Sequence, residues 1–286
     1  MPFEQKSDYA IHSSKAGGMN RGWVGMQGES LDPSGPQDPK EAFNIAPPNP
    51  TLQPLPPPLS AHADLLSRFQ TRCHTLCTTI LSLLGTALAI PEAAYFASRH
   101  DESRGPSGTI FRLLYYPKTT TAAPPASPGN EPANHEAPRI RAGAHSDYGT
   151  LTLLFRLPGQ PGLELLTPTG WIPVPVNPAP ATLDAPPILV NMGDLLSFWT
   201  KGLLKSTVHR VTFSGGEERY SMAYFCHPLD EVRLDAVPSR VIEQFGEQGR
   251  EELREQRERL GLVGEGEQVL TARQHLERRL KVTYGI

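Results

Sequence analysis

From residue 107 onward the chain is built of short strand-like segments. Segments 109–116, 151–155, 163–166, 171–176, 188–191, 195–198, 207–213 and 220–226 are apolar or β-branched, and each is bounded by Gly, Pro, Asp or Ser. Eight such segments in about 120 residues predict packed antiparallel sheets, a sandwich or jelly roll. Proline supports this reading. It makes up 30 of 286 residues, about twice its average frequency, and gathers at 47–58, 117–138 and 158–187. Between strands it leaves the ladders intact, whereas inside helices it removes a donor and clashes with the preceding turn.

Helical patterning flanks the strands. Leu65, Leu66, Phe69, Cys73, Leu76, Ile80, Leu84 and Leu88 recur at three- and four-residue steps, which predicts one long packing helix over 61–89. Pro91 closes that run and suits the start of a short helix through 97. Segment 239–260 reads as a solvated surface helix, and 270–282 as a second, better-patterned one. Residues 1–58 read as a loosely wrapped arm with short local structure, and 118–139 as a mobile polar surface loop. The expected division is an N-terminal region, 1–106, carrying the long helix, and a strand-rich domain, 107–286, with C-terminal helices.

A net charge of −3 and a hydrophobic content of 38% allow a core and give no electrostatic reason to expect nucleic acid or an anionic membrane as partner. Cys73, Cys77 and Cys226 are too few for a disulfide framework and read as buried free thiols in a reducing compartment. No signal-peptide stretch occupies 1–10, and no apolar run is long enough to span a bilayer. A soluble, cytoplasmic protein is expected.

Two of the nine histidines stand apart. His145 and Asp147 open a segment that continues as a strand to 154, and alternation would place both on one face. His209 lies in the β-like stretch 205–211. Two imidazoles and one carboxylate leave open positions on an octahedral ion, the arrangement of non-haem Fe(II) oxygenases. A third zinc-type histidine and a His-Glu-x-x-His helix are both missing. Arg219 and Ser221, two apart before the apolar run 222–226, can hold a carboxylate by a guanidinium fork and a hydroxyl. His12, His62, His74, His100, His135 and His275 read as loop or polar-face residues, and His227 as a satisfied residue at a strand end.

With these residues in place the chain resembles the iron- and 2-oxoglutarate-dependent dioxygenases of the isopenicillin N synthase-like family, especially its fungal members. The resemblance runs in order through Arg-Gly-Trp-Val-Gly (21–25), Lys-Glu-Ala-Phe-Asn-Ile (40–45), Arg-Leu-Leu-Tyr-Tyr-Pro (112–117) and Gly-Ala-His-Ser-Asp-Tyr-Gly-Thr-Leu-Thr-Leu-Leu (143–154). It continues through Val-Asn-Met-Gly-Asp-Leu-Leu (190–196), Ser-Thr-Val-His-Arg-Val (206–211), Arg-Tyr-Ser (219–221) and Leu-Lys-Val-Thr-Tyr-Gly (280–285).

The resemblance implies a mainly β fold with flanking α-helices, the double-stranded β-helix or jelly roll. It implies Fe(II) as metal, O2 and 2-oxoglutarate as co-substrates, and His145, Asp147 and His209 as iron ligands. Arg219 and Ser221 match the pair that takes the distal carboxylate of 2-oxoglutarate, and Tyr116 matches a tyrosine lining that site. The implied reaction is hydroxylation, desaturation or cyclisation of a small organic molecule, as in secondary metabolism. Two alternatives share the fold: an Fe(II) oxidase that uses no 2-oxoglutarate, and a non-catalytic binding protein.

Relatives usually carry an extra strand and helix before the Arg-Gly-Trp-Val-Gly match, so the region 1–106 is expected to be shortened. Leu114 stands where many have Asn, which removes one polar contact. Arg156 and Lys201 replace the usual Gln and Asn and are expected to alter the pocket mouth. Phe198, Trp199, Phe155 and Phe111 are candidate pocket aromatics.

Overall fold

Two antiparallel sheets enclose a cavity between them. The computed structural model describes residues 1–92, 94–118, 139–214, 216–245, 247–259 and 269–285. Its strands are β1 (Gly22–Val24), β2 (Glu41–Ile45), β3 (Ile110–Tyr116), β4 (Arg139–His145), β5 (Leu151–Arg156), β6 (Leu163–Thr167), β7 (Gly170–Pro173), β8 (Leu189–Met192), β9 (His209–Phe213) and β10 (Arg219–Cys226). The larger sheet has the order β1-β2-β3-β10-β5-β8 and the smaller one β4-β9-β6-β7. This is the jelly roll that the strand-like segments predict.

Helices flank the sheets. They are α1 (Phe3–Ser7), α2 (Pro57–Ser60), α3 (Ala63–Ala87), α4 (Tyr95–Ser98), α5 (Asp194–Trp199), α6 (Arg240–Phe245), α7 (Glu247–Arg259) and α8 (Ala272–Tyr284). One of them, α5, is buried. None of the described helices is long and apolar enough to cross a membrane.

The larger sheet is buried on both faces, so its strands read as nearly continuous apolar runs. Along β3, Ile110, Arg112, Leu114 and Tyr116 line the cavity, while Phe111 and Leu113 pack into the main core on the other face. There α3 lies across the sheet, with the Phe69 ring 5.1 Å from both Phe111 and Phe155. The buried line of α3 is Gln70, Cys73, Cys77, Leu81 and Gly85. Leu65 and Leu76, placed on the packing stripe by spacing alone, are 57% and 36% exposed. Leu66, Phe69, Ile80 and Leu84 of that stripe pack against the core beside the buried line. All three cysteines are buried free thiols, as expected.

Four sequence expectations change. Segment 195–198 is not a strand but part of the helix α5. All six residues of that helix are buried, and a run buried on every side carries no period by which strand and helix can be told apart. The signal that decides it is Gly193-Asp194, an extended cap followed by a carboxylate in the first turn. Second, 145–154 is not one strand. β4 ends at His145 in the smaller sheet, 146–150 turn, and β5 begins at Leu151 in the larger. Third, the arm 1–58 contributes β1 and β2, which extend the larger sheet from β3. Fourth, Arg139, expected at the end of the polar loop, instead opens β4; the rest of that loop, with His135, falls on 119–138, outside the described residues.

The turn between the sheets is clamped from below by His100, which is fully buried. Its Nδ1 lies 2.7 Å from the Phe96 carbonyl oxygen and its Nε2 lies 2.9 Å from Thr150 Oγ1. Nδ1–H therefore donates to the carbonyl, and Nε2 accepts from the hydroxyl. Burial pushes this imidazole down to about 4. An unfolded chain takes up its proton near 6.5, so the stabilisation is complete above that pH and is lost as pH falls toward about 4. The linkage amounts to about 3 kcal/mol for this one group. The thermal midpoint is expected to decline between those pH values, and His100→Gln to decline less steeply, by about one proton's worth. An equal or steeper slope in the variant contradicts this assignment.

Candidate active site

The site begins with the pairing of β4 and β9, in which His145 stands directly opposite His209. Their ring centroids are 4.3 Å apart. Asp147 follows in the turn, and its Oδ1 lies 3.8 Å from His145 Nε2 and 3.7 Å from His209 Nε2. The ligand atoms of all three lie within 4.8 Å of one another. They converge because two strands and a turn bring them together, not by alternation along one strand.

Every other polar atom of the three side chains is already engaged. His145 Nδ1 lies 2.8 Å from the Gly143 carbonyl oxygen, and His209 Nδ1 lies 3.1 Å from that of Thr207. Each Nδ1 carries the proton that it donates, which leaves both Nε2 lone pairs free. Asp147 Oδ2 accepts from Thr152 Oγ1 at 2.7 Å and from Asn191 Nδ2 at 2.7 Å, which leaves Oδ1 free. Thr152 and Asn191 are themselves cross-strand partners on β5 and β8. Two neutral nitrogens and one carboxylate oxygen are a donor set that fits Fe(II).

Burial, with His209 alongside, pushes His145 down to about 3 against the pull of Asp147. Burial alone would raise the Asp147 carboxyl, but His209, His145 and the bonds from Asn191 and Thr152 outweigh it and hold the group ionised.

The turn that carries Asp147 is fixed from outside. Asp194 N donates to the Asp147 carbonyl at 2.8 Å, Leu195 N to Gly149 at 3.1 Å, and Gly193 N to Thr150 at 2.9 Å. A Cβ on Gly193 would fall 2.2 Å from the Gly149 carbonyl oxygen, so no other residue permits this approach.

A second group lies on β10 and β3. Arg219 is opposite Tyr116, and Ser221 is opposite Leu114. Arg219 is buried; its Nε donates to the Pro161 carbonyl at 2.9 Å, and Nη1 lies 3.4 Å from Ser221 Oγ. Its guanidinium carbon sits 5.0 Å from the centre of the Tyr116 ring. Among the described residues Arg219 has no carboxylate partner. A buried cation without an anion is costly, and the carboxylate of a ligand is a partner that would offset that cost.

Both groups line one cavity of about 410 Å³. Leu114, Leu154, Leu163, Leu165 and Phe225 supply apolar wall, with Leu114 in place of the polar side chain expected in relatives. Phe198, Trp199, Phe155 and Phe111 do not line it; they belong to the core behind the larger sheet. Arg156 and Lys201 are also absent from the wall. Arg156 donates to the carbonyls of Pro175 at 3.0 Å and Val176 at 3.1 Å, and Lys201 is exposed in the turn after α5.

Sequence reasoning missed Thr152 and Asn191, although both lie in quoted motifs. It also missed Arg112, Asn44, Glu29 and Lys40, which line the cavity from β3, β2 and the adjoining segments. For Arg112 the signal was available, since it alternates with Leu114 and Tyr116. His100, His227 and His275, bland by sequence, are buried rather than surface residues.

The fold and site have counterparts among known proteins. The 2OG-Fe(II) oxygenase superfamily profile matches residues 108–228. The chain is 33% identical over 196 residues to the 2-oxoglutarate-dependent dioxygenase iboH of Amanita muscaria, which covers 66% of this chain and 83% of that one. It is 32% identical to UPF0676 protein C1494.01 of Schizosaccharomyces pombe, over all of this chain and 77% of that one. A crystal structure of a full-length Neurospora crassa protein in complex with alpha-KG and 5-formyluracil matches with a TM-score of 0.67 at 27% identity, over 98% of this chain and 76% of that one. The chain therefore belongs to the 2OG-Fe(II) oxygenase superfamily, as a dioxygenase that takes Fe(II) as its metal and 2-oxoglutarate as its co-substrate.

Proposed function

We propose that His145 Nε2, Asp147 Oδ1 and His209 Nε2 hold the iron, and that Arg219 and Ser221 take the distal carboxylate of 2-oxoglutarate beside the Tyr116 ring. The remaining cavity takes a small organic molecule for oxidation. The observation that carries this reading is the division of labour among side-chain atoms: three lone pairs free and convergent, every other polar atom tied down. A buried guanidinium with no protein carboxylate among the described residues lines the same cavity.

When bound, the iron supplies the activation of dioxygen, and 2-oxoglutarate is oxidised alongside the substrate to succinate and carbon dioxide. The protein's own part is ligation, orientation and exclusion of water. Asp147 supplies one negative charge, and the Thr207 and Gly143 carbonyls hold the imidazoles in the ligating tautomer. Arg219 neutralises the incoming carboxylate in a site of low dielectric, where a charge-assisted hydrogen bond is strong. The leucines and Phe225 keep the reacting centre dry. The Neurospora crassa protein holds 5-formyluracil together with alpha-KG, which supports a small ring compound as the kind of substrate such a cavity takes.

Anaerobic Fe(II) and 2-oxoglutarate are expected to give a visible metal-to-keto-acid charge-transfer band. His209→Ala should abolish it, and Arg219→Ala should raise the 2-oxoglutarate concentration needed by about 10- to 100-fold. A missing band in wild type points instead to a 2-oxoglutarate-independent oxidase or a binding protein. An unchanged band in both variants removes these residues from the site.

Asn191→Leu and Thr152→Val each strand one hydrogen bond of Asp147. Each should weaken Mn(II) or Fe(II) binding by about 10- to 100-fold in an equilibrium titration. Wild-type affinity in both variants contradicts the orienting role.

A further inference from the structure

We propose that Arg156 is a second cation at the co-substrate end of the cavity. Held one strand away from Arg219, it acts through space on the distal carboxylate and strengthens the preference for a 2-oxo diacid over a 2-oxo monoacid. The proposal rests on the reading of Arg219 and Ser221 as the seat of that carboxylate and adds a specificity-determining residue to it.

Strand register puts Arg156 there. β5 and β10 pair antiparallel with Arg156 directly opposite Ser221, and residues opposite each other on such a ladder share a face. Arg156 also alternates with Thr152 and Leu154, both of which line the cavity. Arg219 stands two residues before Ser221, so Arg156 and Arg219 are diagonal neighbours on one face, with Cβ atoms about 7–8 Å apart. Both are buried, Arg156 at 8% exposure and Arg219 at 4%.

Neither guanidinium meets a carboxylate among the described residues. Arg156 Nη1 donates to the Pro175 carbonyl at 3.0 Å and Nη2 to that of Val176 at 3.1 Å, while Arg219 Nε donates to Pro161. Those carbonyls satisfy N–H groups but bring no net charge. Glu218, the acid beside Arg219 in the chain, is taken by the hydroxyls of Tyr115 at 2.7 Å and Tyr220 at 2.6 Å. These tyrosines alternate with Tyr116 and Ser221 and so point away from the cavity. A third buried guanidinium, Arg141, lies 4.7 Å from the Phe213 ring, which meets Tyr116 edge-on. The charge at this end of the cavity is therefore positive and in excess.

Two buried like charges raise each other's cost. Burial, and then the Arg219 charge, hold the Arg156 guanidinium below its ordinary range. An anion beside Arg219 relieves both groups. Arg156 is absent from the cavity wall, but contact is not required. A unit charge about 7–10 Å from an anion, at an effective dielectric of about 20, changes its affinity by about tenfold or more.

The test is anaerobic calorimetric titration of the full chain, loaded with Mn(II). The probes are 2-oxoglutarate and 2-oxopentanoate, which has the same 2-oxo acid head and no distal carboxylate. Arg156→Gln should weaken 2-oxoglutarate by about tenfold and 2-oxopentanoate by less than about twofold. Arg156→Lys keeps the charge but not the planar fork that bridges two carbonyls, and should hold 2-oxoglutarate within about threefold of wild type. Where Arg156→Gln does not fold, Arg156→Met, uncharged and of similar length, takes its place.

Unchanged 2-oxoglutarate affinity in the uncharged variant, equal weakening of both acids, or equal losses in the uncharged and Lys variants would overturn the proposal. The last two are the results of a purely structural role in holding 174–176. Where 2-oxopentanoate binds too weakly to titrate, the comparison of the uncharged and Lys variants decides on 2-oxoglutarate alone. Arg219→Ala separates this proposal from the reading beneath it. If that variant leaves 2-oxoglutarate affinity unchanged, the seat itself is wrong; if it weakens 2-oxoglutarate while Arg156→Gln does not, only the role of Arg156 falls.

Discussion

The contact between the turn after β4 and the N-terminus of α5 is what the rest of the site depends on. Three backbone bonds join the carbonyls of Asp147, Gly149 and Thr150 to the amides of Asp194, Leu195 and Gly193. That approach is possible only because Gly193 has no side chain. It places Asp147 against the paired histidines of β4 and β9 and turns its carboxylate so that Thr152 and Asn191 can reach Oδ2. The same clamp is tied outward. Asp194 Oδ1 accepts from Ser206 Oγ at 2.8 Å, and His275 Nε2 of α8 stands 3.5 Å from Oδ2. Burial alone would raise the Asp194 carboxyl, yet His275 and Arg279 hold it down at about 2. The position of Asp147 Oδ1 is therefore built from both sheets and the last helix.

Buried charge is unevenly compensated around the cavity. Glu29, Asp38, Lys40 and Arg112 pair with one another. Arg219 has no carboxylate partner among the described residues. Both rows of side chains descend from one fact of register: β2, β3 and β10 are neighbours, so Asn44, Arg112, Leu114, Tyr116, Arg219 and Ser221 all reach the same face. A slip of one residue in β3 would turn Arg112, Leu114 and Tyr116 into the core behind the sheet and bring Phe111 and Leu113 into the cavity.

Most strands of the 107–228 region were legible because alternation and Gly/Pro punctuation survive in them; β4, which carries His145, was not among the segments read as strands. Where the chain is buried on all sides, as at α5, that signal disappears, and only its cap distinguishes a helix from a strand. β1 and β2 are short and owe their order to the edge of β3, so no local pattern announces them. His145, Asp147 and His209 were found by residue type, and the route by which they meet was misread: a turn between sheets replaces one alternating strand.

In the proposed site three specific atoms bind the metal while Arg219 and Ser221 bind the co-substrate, and a crystal structure obtained anaerobically with Mn(II) and N-oxalylglycine, an unreactive 2-oxoglutarate analogue, tests this arrangement. Mn(II) is expected on His145 Nε2, Asp147 Oδ1 and His209 Nε2, about 2.0–2.3 Å from each, with the distal carboxylate on Arg219 and Ser221. Metal bound through Asp147 Oδ2 or through either Nδ1, or a carboxylate seated at Arg112 instead of Arg219, would contradict it.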